Sequence, residues 1–435
     1  MSSEELRTLA IETGFCSRLS KLTPAMFFDL MFYASSLSRN SSLEYLSSYL
    51  EDQYGIEIGK QSLNERFTEK TVYFVKQVLS RLICEQFSDM LYSEYFLNQY
   101  NHVRIKDSTT FKVPSNLAGH YKGRHGYVAG ISIQYEFDLK TGEFLDLTLT
   151  EAARNDQTDA GETAENTEKG DLIIRDLGYF STSVLAKIDE NKAFYLSRLQ
   201  AATAVYDEND VEVDFKKQHT FMTKNGIEKC EKQVFIGKDR LAVRLVIGLV
   251  PPEVYQQRMR RKHEEEKRRG CQMKERTKYL QQFNLFITNV EVEDLPVEKV
   301  MPLYRFRWQV ELMFKNWKSV FSIQALQKMK WERYVTMLYI RLILIVVNLQ
   351  IINRVQSALS KQGEKQTLLS YKKTLQTLKN RVSDILNILR FREEKAIKIL
   401  ENIYRVLSKN HWREKRKKRE NYGENICLFI CNPKE

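Results

Sequence analysis

Between Tyr304 and Lys318 the spacing of charged residues is suited to chemistry. On a helix advancing about 100° per residue, Arg307, Glu311 and Lys318 fall within an arc of about 40°, with Tyr304 beside them. Phe306, Val310, Met313 and Trp317 gather on the neighbouring face, where a core would take them. One face therefore carries two fixed cations, a phenol and a single carboxylate. Taken alone, this is also the pattern of an i,i+4 Arg–Glu pair on a solvated helix. Two further carboxylates change its meaning. Asp107 follows the alternating Val103 and Ile105, and Asp176 follows the apolar run Leu172-Ile173-Ile174. Acidic residues at the carboxyl ends of strands lie where open α/β sheets place their sites, although a single Asp is more often a turn or cap residue. Three carboxylates with no His or Cys nearby suit Mg2+ or Mn2+ rather than zinc. Two such ions in one site activate a water or a 3′-hydroxyl and stabilise the leaving oxygen of a phosphodiester. Arg307 and Lys318 would then hold adjacent phosphates, and Tyr304 would hydrogen-bond or stack.

Positioning these groups requires a sheet. From residue 100 the hydrophobic period is two. Val103–Ile105 predicts a short strand ending at Asp107, residues 126–138 a second, and the segment after Lys140-Thr141-Gly142 a third. Residues 155–169 read as a helix with a loop. A buried strand at Leu172-Ile173-Ile174, a helix over 182–190 capped by Ser181, and a strand over 194–199 follow. This order makes a mixed α/β sheet. Residues 200–282 interrupt it with β-segments at 211–213, 234–236 and 243–250, then a long basic helix over 253–280. Leu285–Thr288 returns to strand character, and Pro302 is expected to precede the helix that carries Glu311.

The flanks are helical. Leu43, Leu46, Tyr49 and Leu50 mark a helix ended by Tyr54-Gly55, and a second helix carries Ser62, Asn64, Arg66 and Lys70 on polar positions. That pair fits a helix-turn-helix, with Arg66 a DNA contact, or a plain helical hairpin. The expected division is 1–100 helical, 101–199 and 283–352 the two parts of the α/β core, 200–282 the insertion, and 353–435 a helical region with a basic tail from Trp412 to Arg419.

Composition restricts the partners. With 68 Lys+Arg against 56 Asp+Glu, the net charge of +12 favours a polyanion, nucleic acid being the commonest. The mixed-charge helix at 253–280 fits either a solvated surface or a nucleic-acid contact. Six scattered cysteines make no disulfide framework, and Cys427 with Cys431 is a poor metal site. The start of the chain is acidic and polar, unlike a signal peptide. The apolar run Leu338–Ile352 is shorter than a membrane span and is broken by Arg341, Asn348 and Gln350. A cytoplasmic, nucleoid-associated protein is the expectation.

Three blocks carry a resemblance: Asp107-Ser108-Thr109-Thr110-Phe111, Asp176-Leu177-Gly178-Tyr179-Phe180, and the Y-x2-R-x3-E-x6-K run of Tyr304, Arg307, Glu311 and Lys318. Together with Phe194–Leu199 and Ile287-Thr288-Asn289, they resemble bacterial DDE transposases of the insertion-sequence-four family over about residues 100–350. The resemblance implies an RNase H-like catalytic core with a β-rich insertion before the Glu. It implies two Mg2+ or Mn2+ ions held by Asp107, Asp176 and Glu311. Tyr304, Arg307 and Lys318 would contact terminal phosphates, with Lys315, Arg66, Lys122 and Arg124 as further DNA-contact candidates. It also implies action on double-stranded DNA, the terminal inverted repeats of an element and its target, by a homodimer in a synaptic complex, in several relatives through a DNA hairpin. Hairpin-forming relatives stack a Trp of the insertion against a flipped base. No Trp lies in the insertion of this chain, and Tyr279 or Phe283 is the expected substitute. A domesticated, non-transposing DNA-binding protein and a metal-dependent RNase H-like nuclease are the alternatives.

Overall fold

The computed structural model describes residues 1–412 except 19, 38–41, 85–96, 125, 155–160, 162, 163, 362–368 and 391–393; the side chains at 269, 308–312, 360, 361 and 390 also lie outside the description. The chain forms two compact units, one of Met1–Tyr92, Ser108–Ala153 and Glu311–Glu435, the other of Ser93–Asp107 and Arg154–Val310.

The first unit opens with α1 (Ser3–Glu12), α2 (Pro24–Ser36), α3 (Leu43–Tyr54), α4 (Lys60–Glu65) and α5 (Glu69–Cys84). Helix α3 stops where expected: Gly55 takes the left-handed conformation at φ 64°, which a glycine adopts without a Cβ penalty. The single second helix expected after it is two helices. Thr68 and Thr71 exchange backbone-to-side-chain hydrogen bonds, and the Thr71 hydroxyl donates to the Arg66 carbonyl. These bonds start α5 afresh and leave Arg66 at the end of α4.

Strand β1 (Val103–Lys112) runs from the second unit into the first. The expected strand ended at Asp107, but the β-branched and aromatic residues Thr109, Thr110 and Phe111 prolong it, so Asp107 sits mid-strand. Strands β2 (Gly130–Asp138) and β3 (Glu143–Glu151) pair antiparallel beside it, with a register shift between Glu136 and Phe137.

In the second unit the order is β1, β4 (Leu172–Arg175), β5 (Phe194–Arg198), β9 (Phe283–Thr288), β8 (Leu241–Leu249), β7 (Lys229–Ile236), β6 (Val205–Tyr206). β1, β4 and β5 are parallel, and every later pairing is antiparallel. The fold is therefore mixed α/β, as expected, and the strands of the 200–282 segment extend the same sheet, β8 hydrogen-bonding directly onto β9. Helix α6 (Thr182–Glu190) crosses between the parallel strands β4 and β5. Ser181 precedes it without capping it, because its hydroxyl meets that of Ser183 at 2.7 Å. Ile173, Tyr195, Leu245, Ile247 and Ile287 form the centre of this unit's core.

Three expectations fail in this unit. Residues 211–213 form only an isolated bridge, Tyr206 to Glu212, because the turn at Asp207–Val211 bends the chain. Helix α7 (Phe215–Lys224) replaces further strand, started by Asp214 accepting from the Lys216 and Lys217 amides. The long basic helix ends early: α8 (Pro252–Arg269) stops at Gly270, φ 65°, and only the short α9 (Glu275–Tyr279) follows. Pro302 does precede the helix that carries Glu311, from a position inside α10 (Val297–Arg305).

The chain returns to the first unit through α11 (Arg307–Val320), followed by α12 (Trp331–Lys361), α13 (Tyr371–Lys379), α14 (Val382–Arg390) and α15 (Glu394–Asn410). By length and composition α12 is apolar enough to cross a membrane, yet 94% of its most apolar window is buried, packed on α2 and α5. The expected helix over 155–169 lies mostly outside the described residues, as do the basic tail beyond Trp412, Cys427 and Cys431.

Candidate active site and nucleic-acid contacts

Parallel pairing brings the two aspartates together. The β1–β4 register runs Val103 with Leu172 through Lys106 with Arg175. Positions 107 and 176 are one step further, so alternation puts their side chains on the face opposite Lys106 and Arg175. Asp176 then leads into a 3-10 turn, Leu177–Tyr179.

One cation spans both carboxylates. Arg307 Nη1 lies 3.3 Å from Asp107 Oδ2, and its Nε lies 3.6 Å from Asp176 Oδ1. The side chains of Arg307 and Asp107 are each 15% exposed and that of Asp176 43%, so the contact at Asp107 is the less screened. This pairing differs from the i,i+4 Arg–Glu alternative, because Arg307 reaches back about 200 and 130 residues in sequence to strand-borne groups.

Tyr304 is not on the same helix as Arg307. A break at Phe306 separates α10 from α11, and Pro302, which lacks an N–H, already weakens α10 there. The Tyr304 ring is buried, packs 5.1 Å from Phe286 and lies 5.9 Å from the Arg307 guanidinium. Its hydroxyl donates to the Arg175 carbonyl at 3.2 Å, and burial pushes its pKa up to about 12. Its polar atom thus fixes α10 against the end of β4 in this state. Arg198, at the carboxyl end of β5, also acts on the Tyr304 phenol electrostatically. Sequence reasoning passed over it as a site residue, although the only signal needed was a cation ending a parallel strand.

Glu311 lies on α11, one helical turn beyond Arg307, or about 6 Å along the axis. Its side chain is outside the described ones. Among the described residues no cluster of three or more His, Cys, Asp or Glu forms a metal site. The donor set suits a hard divalent ion: two oxygen-only carboxylates already converge on a positive group.

The remaining candidates separate by exposure. On α11, Lys315 is exposed and Lys318 half-buried, with burial pulling the Lys318 pKa down. Lys122 and Arg124 are exposed, and Arg66 is partly so. Phe283 does not serve as a stacking residue here: it is 2% exposed in the core, where Phe215 and Tyr279 cover it. Tyr279 is half-buried, with Lys216 5.8 Å from its ring, and is the accessible one of the two.

The chain is thus a mixed α/β protein that brings Asp107 on β1 and Asp176 just past β4 under one arginine, and similarity identifies its family. Residues 101–349 match the family described as a transposase DDE domain, and the chain belongs to that family. It is 31% identical to the transposase for insertion sequence element IS231B of Bacillus thuringiensis, over 93% of this chain and 88% of that one. The IS231F transposase of the same species is 33% identical over 86% and 82%, and the IS1151 transposase of Clostridium perfringens 26% over 83% and 80%.

Proposed function

We propose that this protein cuts the ends of an insertion sequence and joins the freed 3′-hydroxyls to target DNA, with Asp107, Asp176 and Glu311 as its metal ligands. The observation that carries this reading is the single guanidinium of Arg307 held by both aspartates, one helical turn before Glu311. Two Mg2+ or Mn2+ ions, when bound, would activate the attacking oxygen and stabilise the leaving one. Asp107 and Asp176 come from adjacent parallel strands of an RNase H-like core, and Arg307 is placed to pass from the carboxylates to a phosphate of the DNA. Lys315 and Lys318 follow on the same helix as further phosphate contacts. The helical region 1–100, with Arg66, would recognise the inverted repeats. The protein would act as a homodimer in a synaptic complex, at the nucleoid. Tyr279 is the base-stacking candidate if the ends pass through a hairpin.

The test is incubation of the purified protein with labelled DNA carrying the element's own end and its flank, in Mg2+. The expected result is nicking followed by joining, abolished in Asp107→Asn, Asp176→Asn and Glu311→Gln while DNA binding persists. Cleavage that survives Glu311→Gln would remove the third ligand from the scheme. Nicking without joining would instead make the protein a nuclease. Short inverted repeats immediately flanking the gene are the expected genomic signature.

A further inference from the structure

The first unit carries a feature that the catalytic reading does not use. Between Asp107 and Glu136 the chain has no acidic residue but holds Lys112, Lys122 and Arg124. Within this stretch the described residues 121–124 and 126–130 pair back to back as a narrow ribbon. The Gly123 amide donates to the Val128 carbonyl at 3.2 Å, the Gly130 amide to the Tyr121 carbonyl at 3.2 Å, and Lys122 bridges Ala129. Near the tip the Tyr127 amide donates to the Arg124 carbonyl at 3.3 Å, and Gly126 stands at φ 86°. The turn is built around glycine: a Cβ on Gly123 would stand 1.9 Å from the Tyr127 carbonyl oxygen.

The two ends of this ribbon differ. Its base is fixed. Leu117 and Val113 are buried, the His120 ring stacks on Trp331 at 4.4 Å, and Asn116 donates to the Met329 carbonyl at 2.9 Å. Burial also raises the Tyr121 pKa to about 12, and the Ala153 amide donates to the Lys122 carbonyl at 3.2 Å. Its tip is bare: Tyr127 is 46% exposed and Val128 68%, beside the exposed Lys122 and Arg124. Isolated exposed apolar residues need no explanation, but two adjacent ones on one arm of a ribbon whose other arm carries two exposed cations do.

We propose that the ribbon Tyr121–Gly130 is a DNA finger, with its tip in the major groove, Lys122 and Arg124 on the flanking phosphates, and Tyr127 and Val128 against base edges. A two-stranded ribbon fits the major groove, about 12 Å wide, without deforming the duplex, whereas the minor groove, about 6 Å wide, would have to be opened. The absence of carboxylates selects a polyanion, and a rigid base means that little ordering is needed on binding. The inference rests on the proposed action on DNA and adds a contact outside the carboxylate site.

The experiment measures binding of full-length protein to a DNA duplex carrying the element's end and its flank, by anisotropy across a salt series, with dimethyl sulfate footprinting of guanine N7. For Lys122→Ala/Arg124→Ala the expected salt slope falls by about 2, since each phosphate contact contributes about 0.9. Tyr127→Ala is expected to weaken binding about 10-fold and to expose one or more guanines protected in the wild type, while Tyr127→Phe keeps both. Wild-type binding with unchanged slope, affinity and footprint in these variants overturns the finger and leaves the transposase reading standing. A shift in oligomeric state with DNA binding unchanged would make the tip a contact between copies and also overturns it. No DNA binding by wild type would remove the reading on which the finger rests, and the finger with it.

Discussion

Arg307→Gln isolates the arginine that Asp107 and Asp176 share. At 3.3 and 3.6 Å, each attraction is about 5 kcal/mol at an effective dielectric of 20, before desolvation is subtracted. Desolvating the groups offsets most of that, and the 43% exposure of Asp176 screens its share further. A net hold of about 1–2 kcal/mol remains, between the values typical of exposed and of buried pairs. A divalent ion entering between the aspartates must displace the guanidinium and forgo that energy. Without DNA, Arg307→Gln should therefore bind Mn2+ about 5- to 30-fold more tightly than wild type, because 1.4 kcal/mol is about tenfold. In the wild type a DNA phosphate would draw the guanidinium away, so DNA and Mn2+ should tighten each other's binding by the same factor. The substitution should shrink that coupling and still abolish cleavage, since the phosphate contact is lost. Titration calorimetry with Mn2+, with and without end DNA, reads both effects, and Lys315→Gln controls for the loss of one charge from the same helix. Unchanged or weaker Mn2+ binding in Arg307→Gln would refute competition and make the arginine a support that holds the carboxylates in place.

Three further outcomes follow from the packing. Tyr304→Phe should cost about 1 kcal/mol at neutral pH through the lost bond to the Arg175 carbonyl, read by denaturant unfolding. The raised Tyr304 pKa contributes stability that is intact below the unfolded value near 10 and lost as pH rises to about 12, so the gap between wild type and variant should narrow across that window. Trp317→Ala should cost about 3–5 kcal/mol, because the fully buried indole packs on Tyr135, Phe144 and Phe314 and donates to Tyr371 at 3.2 Å; an unchanged unfolding midpoint would contradict that packing. Gly123→Ala should loosen the ribbon tip more than Gly126→Ala, because the new methyl meets backbone in the first and open space at a strained φ in the second; hydrogen exchange at the Tyr127 and Gly130 amides measures it.

The extent to which the sequence could be read depended on whether local signals competed. Asp176 was placed well because a run as short and Ile-rich as Leu172-Ile173-Ile174 favours a buried strand, and the residue after it emerges near the strand's end. Asp107 was found as an acid on β1 but mislocated to its end, since the polar Ser108, Thr109 and Thr110 hide a strand continuing in partly exposed surroundings. Gly55 stopped α3 as read, yet Gly270 was overlooked within a run of charges that looked helical on both sides, and so α8 was drawn too long. The relation of Tyr304 to Arg307 was read from a single helical wheel. The structure gives the same closeness by a different route: a break at Phe306, a phenol turned inward to a backbone carbonyl, and an arginine turned to two aspartates. Spacing therefore grouped Tyr304 with Arg307, which the structure keeps close, while the direction each side chain takes depended on partners about 130–200 positions away. Only the fold brings those partners into reach, and for that reason the arginine, more than any one carboxylate, links the sequence motif to the proposed chemistry.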